Sequence, residues 1–110
     1  MNIQIFGKQK CFDTKKAERY FKERRIRYQY IDLKKMPMSR GEFQSIKAAA
    51  GLKNLIDERA EGAEILRYLA FDSDREEKIF DNQALLRTPV VRNGRKATVG
   101  YAPEVWDGWD

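Results

Sequence analysis

The sequence predicts an α/β domain with a four-stranded mixed sheet, ordered β-α-β, helical insert, β-β-α. Two features carry that prediction. The first 33 residues read strand, helix, strand, the pattern of a parallel βαβ unit. Toward the other end, Asn93-Gly94 stands between two β-rich runs, the strongest short signal for an antiparallel hairpin.

Asn2 to Phe6 (NIQIF) alternates polar and apolar, with Ile3 and Ile5 on one face, and Gly7 closes the strand. Residues 12 to 25 carry Ala17, Tyr20, Phe21 and Arg24 at spacings of three and four, an amphipathic helix with one apolar stripe. Ile26 to Leu33 (IRYQYIDL) is rich in β-branched and aromatic residues and reads as the second strand, parallel to the first through a right-handed crossover. Met36-Pro37-Met38 breaks the chain. Ser39 and Glu42 then have capping-box spacing, and the helix they open runs through Phe43, Ile46 and Ala50 to Gly51, a natural residue just past a helix end. Leu52 to Phe71 reads as short helices broken near Gly62, and Ser73 with Glu76 repeats the capping-box spacing to open a helix to about Phe80. Pro89 to Arg92 and Arg95 to Val99 flank Asn93-Gly94, both expected at positive φ, and Gly100 ends the second arm. Pro103 sits where a short terminal helix begins, followed by Val105, Trp106 and Trp109.

These elements make one domain over residues 1–110, with a core at 1–35 and 84–110 and a helical insert at about 36–83. A parallel βαβ unit followed by a hairpin is the arrangement of the thioredoxin fold. There the loop after the first strand lies at the carboxyl end of the sheet, where α/β folds place ligands.

Composition excludes several function classes. One cysteine allows neither an internal disulfide nor a CxxC pair. With no histidine there is no Ser/His/Asp or Cys/His dyad and no histidine-based metal site, so no metal is expected. No apolar run approaches the roughly 20 residues of a membrane span, and MNIQIFGKQK is short of a signal peptide, so a cytoplasmic protein with no membrane contact is expected. The charge of +5 comes from 22 basic and 17 acidic residues that are interspersed nearly everywhere. The densest cluster, KKAERYFKERR, reads as a solvated helix face, and no stacking motif accompanies it, which argues against a nucleic-acid partner.

The cysteine itself is the most informative residue. Cys11 stands in GKQKCFDTKK, between a strand and the first turn of a helix. A thiol there meets unsatisfied backbone N–H groups and the positive end of the helix dipole. Lys8 and Lys10 are expected to add positive charge, and the amides of residues 9 to 13 could hold an oxyanion. The opposing reading is a buried structural cysteine, since free cysteines are among the most buried residues. A strand-to-helix junction flanked by lysine is poorly placed to be core, and the reactive reading is preferred. The second element is Leu86-Arg87-Thr88-Pro89-Val90-Val91. A proline opening a strand lacks only an edge donor, and Arg87 can be a solvated loop residue. In a thioredoxin-like sheet, however, a cis Thr88–Pro89 bond would open the third strand beside Cys11 and bring Arg87 near the thiol.

The segments GKQKCFDTKKAERYFKERRIRYQYIDL and LLRTPVVRNGRKATVGYAPEVW, in that order and spacing around a helical insert, resemble the arsenate reductase-like family. That family also includes the Spx transcription regulators and small YffB-type proteins. The resemblance implies a thioredoxin-like fold and a redox-active cysteine at Cys11. It implies arsenate attack by that cysteine, three arginines holding the oxyanion, and glutathione with glutaredoxin completing the reduction. This sequence departs from the pattern. Thr88 stands where an arginine usually precedes the proline, with Arg87 one place earlier. Tyr101 replaces the late arginine in Gly100-Tyr101-Ala102-Pro103-Glu104. The middle arginine falls near Asn54 to Arg59, with Arg59 the candidate. Each missing donor to an oxyanion costs a few kcal/mol of transition-state stabilisation, so arsenate is expected to be a poor substrate.

The expected function is therefore a monomeric, monothiol oxidoreductase with no bound cofactor. It would use Cys11 as nucleophile, with glutathione or glutaredoxin as external thiol and a small oxyanion or a disulfide as substrate. Lys8, Lys10, Phe12, Arg87, Thr88 and Pro89 are the expected binding residues. The alternative is a non-catalytic, Spx-like module that contacts RNA polymerase. The CxxC switch of those regulators is absent, because the segment reads Cys11-Phe12-Asp13-Thr14.

Overall fold

Residues 1–109 are described by a computed structural model; Asp110, the last residue of the expected domain, lies outside the described residues. Strands β1 (Ile3–Gly7), β2 (Tyr28–Asp32), β3 (Val90–Asn93) and β4 (Lys96–Val99) form one sheet in the order β2-β1-β3-β4. β1 pairs parallel with β2 and antiparallel with β3, and β3 pairs antiparallel with β4. This is the expected mixed sheet of the thioredoxin-like fold. Helices α1 (Phe12–Glu23), α2 (Arg40–Ala50), α3 (Asp72–Asp81) and α4 (Pro103–Trp106) flank it.

Alternation along β1 sends its side chains into two cores. Ile3 and Ile5 join Val91, the Ala17–Tyr20–Phe21 stripe of α1, Trp106 and Trp109. Phe6 joins Val90, Ile31 and Leu33 with Phe43 and Ile46 of α2 and Leu55, Leu66, Ile79 and Leu86 from the rest of the insert and its exit. Phe6, Phe21 and Phe43 are fully buried, and burial of such a side chain contributes about 1.5–3 kcal/mol.

The Ser39–Glu42 capping box forms in both directions, Glu42 N donating to Ser39 Oγ at 3.1 Å and Ser39 N to Glu42 Oε1 at 2.9 Å. Gly51 ends α2 at φ 85°. The region from Lys53 to Tyr68 is two 3-10 segments, Lys53–Leu55 and Ala63–Tyr68, separated at Gly62 with φ 87°, as the broken pattern predicts.

Three local expectations are corrected. Ser73 does not cap α3: Phe71 is the N-cap residue and makes no side-chain cap. The carboxylate needed for a box, Glu76, is engaged across the insert instead, accepting from Lys47 Nζ at 2.6 Å and Gln44 Nε2 at 2.9 Å. The hairpin turn is Gly94-Arg95 rather than Asn93-Gly94. Asn93 pairs with Lys96, and of the two central residues only Gly94 has positive φ, 61°. Glycine at the first central position suits a type II′ turn, and Asn93 Oδ1 is free to accept from Asn2 N at 3.3 Å. Finally, α1 stops at Glu23. Arg25 takes a left-handed φ of 57°, with Arg25 N donating to Lys22 O at 3.1 Å and Ile26 N to Phe21 O at 2.9 Å. That is a Schellman closure with arginine in the usual glycine place, and it brings Ile26 back onto the core beside Phe21.

Beyond the packing of α2, the insert is joined by backbone hydrogen bonds to the chain entering β3. Ile56 bridges Leu86, Asp57 N donates to Leu85 O at 2.8 Å, and Arg87 N donates to Leu55 O at 2.7 Å. Residues 55–57 are thereby held against the chain that enters β3. The Thr88–Pro89 bond in that chain is cis, as expected.

Candidate active site

Gly7 ends β1, and α1 begins at Phe12 close above it. A Cβ on Gly7 would clash with Thr14 Cγ2 and stand 2.9 Å from Thr14 Oγ1 and 3.1 Å from the Tyr30 ring. Only a glycine lets the first turn of α1 sit this low, and that turn carries the thiol. Cys11 is the N-cap residue of α1, with φ −90° and ψ 113°. Its N donates to Lys8 O at 3.1 Å and its carbonyl accepts from Lys15 N at 3.3 Å, so the loop holds it in place. It is half-buried.

Partial burial pushes the Cys11 thiol up, but the side chains of Thr14 and Thr88 and the backbone amides of Thr14 and Asp13 push it down by more, leaving it below its ordinary value. Sγ also lies 3.5 Å from the Thr88 carbonyl oxygen. That contact suits the protonated thiol, which donates to it, whereas the hydroxyls and amides serve the thiolate. Thr14 is buried and its Oγ1 makes no hydrogen bond to any other described residue. Its hydroxyl is among the groups that lower the Cys11 thiol.

Two expectations about the thiol are thereby revised. The lysines are not what depresses it. Lys8 is occupied, its Nζ donating to Ala84 O at 2.8 Å and pairing with Asp57 at 3.6 Å. Thr14, read in the sequence as a capping partner of Asp13 and as the missing second cysteine of CxxC, is the residue whose contact with the thiol was overlooked. The available signal was a hydroxyl side chain one helical turn past an N-cap cysteine.

Cys11 opens into a cleft of about 780 Å³. Lys8, Lys10, Arg87 and Thr88 line it as expected, and so does Arg59, brought there by the Ile56–Leu86 bridge. Lys53 and Asn54 line it too and were not foreseen. Five basic side chains face three carboxylates, Asp13, Asp57 and Glu58. Of the five, only Lys8 is ion-paired among the described residues, leaving Lys10, Lys53, Arg59 and Arg87 for an anion. The Arg87 side chain lies over Gly100, where a Cβ would stand 3.2 Å from Nη2. Phe12 and Pro89 do not line the cleft. Phe12 is 79% exposed because the first turn of α1 points it outward, and Pro89 is buried, its carbonyl accepting from Gly100 N at 2.8 Å. Tyr101 also turns away, edge-on to Trp106 with centroids 5.6 Å apart.

The geometry places a thiol beside a basic cleft. A profile of the ArsC family matches residues 6–108. The global transcriptional regulator Spx 2 of Oceanobacillus iheyensis is 27% identical over 109 residues, covering 92% of this chain and 78% of the relative. Among solved structures, an arsenate reductase from Vibrio cholerae superposes with TM-score 0.82 at 18% identity, covering 96% of this chain and 94% of that one. The glutaredoxin-like NrdH-redoxin from Escherichia coli superposes with TM-score 0.53 at 18% identity, covering 100% and 96%. The chain belongs to the ArsC family, a thiol-redox family built on the thioredoxin-like fold.

Proposed function

We propose that the protein is a thiol-dependent reductase in which Cys11 is the nucleophile and an external thiol, glutathione or glutaredoxin, completes the cycle. The observation that carries this reading is the lone cysteine at the N-cap of α1, depressed by Thr14, Thr88 and two backbone amides and open to a basic cleft. The thiolate, not the thiol, is the attacking species. On a mixed disulfide of glutathione, Cys11 Sγ attacks the glutathione sulfur. A Cys11–glutathione disulfide forms, and the other thiol leaves as a thiolate that takes a proton from water. With no second cysteine in the chain, a second glutathione thiolate attacks the glutathione sulfur of that adduct. Oxidised glutathione is released and the Cys11 thiolate returns. The substrate's mixed disulfide is reduced to its free thiol and one glutathione thiol is oxidised, both glutathione sulfurs leaving as oxidised glutathione. Lys10, Lys53, Arg59 and Arg87 hold the carboxylates of the tripeptide, and Lys8 braces the loop.

Arsenate is the weaker substrate on this reading. Arg59 and Arg87 share the cleft with Cys11, but Thr88 and Tyr101 stand where the resemblance calls for further arginines. The test is mass spectrometry of the intact protein after exposure to oxidised glutathione and, separately, to arsenate with glutathione. The expected result is a glutathione adduct on Cys11 in the first sample and little arsenic adduct in the second. No adduct in either would overturn the enzyme reading.

The 27% identity to a transcriptional regulator favours a second reading, a protein-binding module whose action does not depend on Cys11 oxidation. Its discriminating result is RNA polymerase binding that survives Cys11→Ser unchanged, in a protein whose thiol titrates like a free cysteine.

A further inference from the structure

A second cavity, of about 650 Å³, lies across the Lys8–Lys10 loop from the thiol. It shares Lys8 and Lys10 with the first cleft, so the two lie on either side of that loop. It begins one strand over from the loop, where Leu33 N donates to Gly7 O at 3.0 Å. Its chemistry differs. Leu33, Pro37 and Phe80 give it apolar surface, with Asp32, Lys34 and Asp81 of mixed sign around them. The far wall is preformed. Buried Gln83 accepts from Met38 N at 2.6 Å and donates to Met38 O at 3.1 Å, pinning the Pro37 turn to the end of the insert.

We propose that this cavity binds the polypeptide part of the substrate. The occupant is an extended protein segment whose cysteine is disulfide-bonded to a small acidic thiol, with an apolar side chain seated on Leu33, Pro37 and Phe80. The proposal rests on the reading of Cys11 as nucleophile. A small acidic thiol is served by the basic cleft, since pockets for ligands of that size run to roughly 300–1,000 Å³, and it has no use for an apolar second chamber. A chain that crosses the loop does. An extended segment rises about 3.3 Å per residue and presents alternate side chains to one surface, so an apolar residue about two positions from the cysteine faces the second chamber. The chemical step is unchanged: Cys11 Sγ takes the small-thiol sulfur, the polypeptide thiolate leaves and is protonated by water, and free glutathione regenerates Cys11.

The test uses the whole protein and three glutathione mixed disulfides: a nonapeptide with one cysteine and a leucine near it, the same peptide with aspartate for leucine, and free cysteine. Release of the free thiol is followed by chromatography. The expected result is that the leucine peptide reacts about tenfold faster than the aspartate peptide, the order of discrimination an apolar pocket gives. Ala84→Trp and Pro37→Asp, both at exposed positions, should remove that advantage and leave the free-cysteine substrate unaffected. Equal rates for the two peptides, or an equal loss on all three substrates in the variants, would overturn the proposal. If no substrate reacts, the reading of Cys11 falls. Docking is then judged by titrating the leucine peptide with serine for cysteine. Shifts of the Leu33 and Asn82 amides support the subsite, and their absence overturns it.

Discussion

The cleft has two walls of different construction. One belongs to the sheet core: Cys11 at the start of α1, backed by Gly7 and Thr14 behind it, and Thr88 at the entry to β3. Of these Gly7, Thr14 and Thr88 are buried, and Gly7 and Thr14 hold each other in close contact. The other wall belongs to the insert: Lys53, Asn54 and Arg59, exposed side chains on 3-10 and turn backbone. It is fastened by one β-bridge and by Lys8 reaching to Asp57. The difference assigns the work. On the proposed reading, the core wall sets how nucleophilic the thiol is, and the insert wall sets what anion stands in front of it. One can change without the other.

The largest effect that separates the walls is at the thiol. Cys11→Ser should abolish thiol–disulfide exchange, measured by turnover of a glutathione mixed disulfide, while the melting temperature stays within a few degrees of wild type. A large loss of melting temperature would mean that Cys11 is part of the packing and not of the chemistry. Next is Gly7→Ala. The added Cβ meets Thr14 Cγ2 in a packed place, and overpacking of this kind costs about 1–3 kcal/mol. Gly41→Ala, on α2 with nothing within 4 Å, should instead stabilise by about 0.5–1 kcal/mol through helix propensity. Chemical denaturation of both variants checks the contrast; equal effects would show that the β1–α1 approach is looser than described.

The sequence was legible where one local signal decides the outcome. The Ser39–Glu42 box, the Gly51 stop and the break at Gly62 are of this kind. So was the bringing together of Cys11, Arg87 and Thr88, because strand order alone carries it. It misled where a distant partner competes. Ser73–Glu76 has the same spacing as Ser39–Glu42, but Lys47 and Gln44 claim Glu76. Lys8 looked like a charge for the thiol, but Asp57 and the Ala84 carbonyl hold it, and both lie in segments far along the chain. The hairpin shifted by one residue because Gly94 alone supplies the positive φ the turn needs. Arg25 closes α1 without the glycine that would have marked the end. Thr14 was unreadable as a site residue because its role depends on how low α1 sits over Gly7.

Smaller effects sharpen the division of labour. Thr14→Val keeps the shape and removes the hydroxyl. The thiol should titrate higher, toward a free cysteine, and the melting temperature should stay within a few degrees of wild type. Thr14→Ser should restore the low titration. On the insert wall, Arg59→Ala and Lys53→Ala should raise KM for a glutathione disulfide by about twofold to fivefold, the size of an exposed charge contact, with kcat and the thiol titration unchanged. A shift of the thiol titration in Arg59→Ala would break the separation of the walls.

The most direct test of the account is the rate of Cys11 alkylation by iodoacetamide as a function of pH. The net effect of the hydroxyls and amides around Sγ is to favour the thiolate. The rate should therefore rise with pH, reach its midpoint below the roughly 8.5 of a free cysteine, and level off above that midpoint. A midpoint at or above the free value would contradict the account, because Cys11 would then be a protonated thiol at neutral pH with no prepared nucleophile facing the cleft.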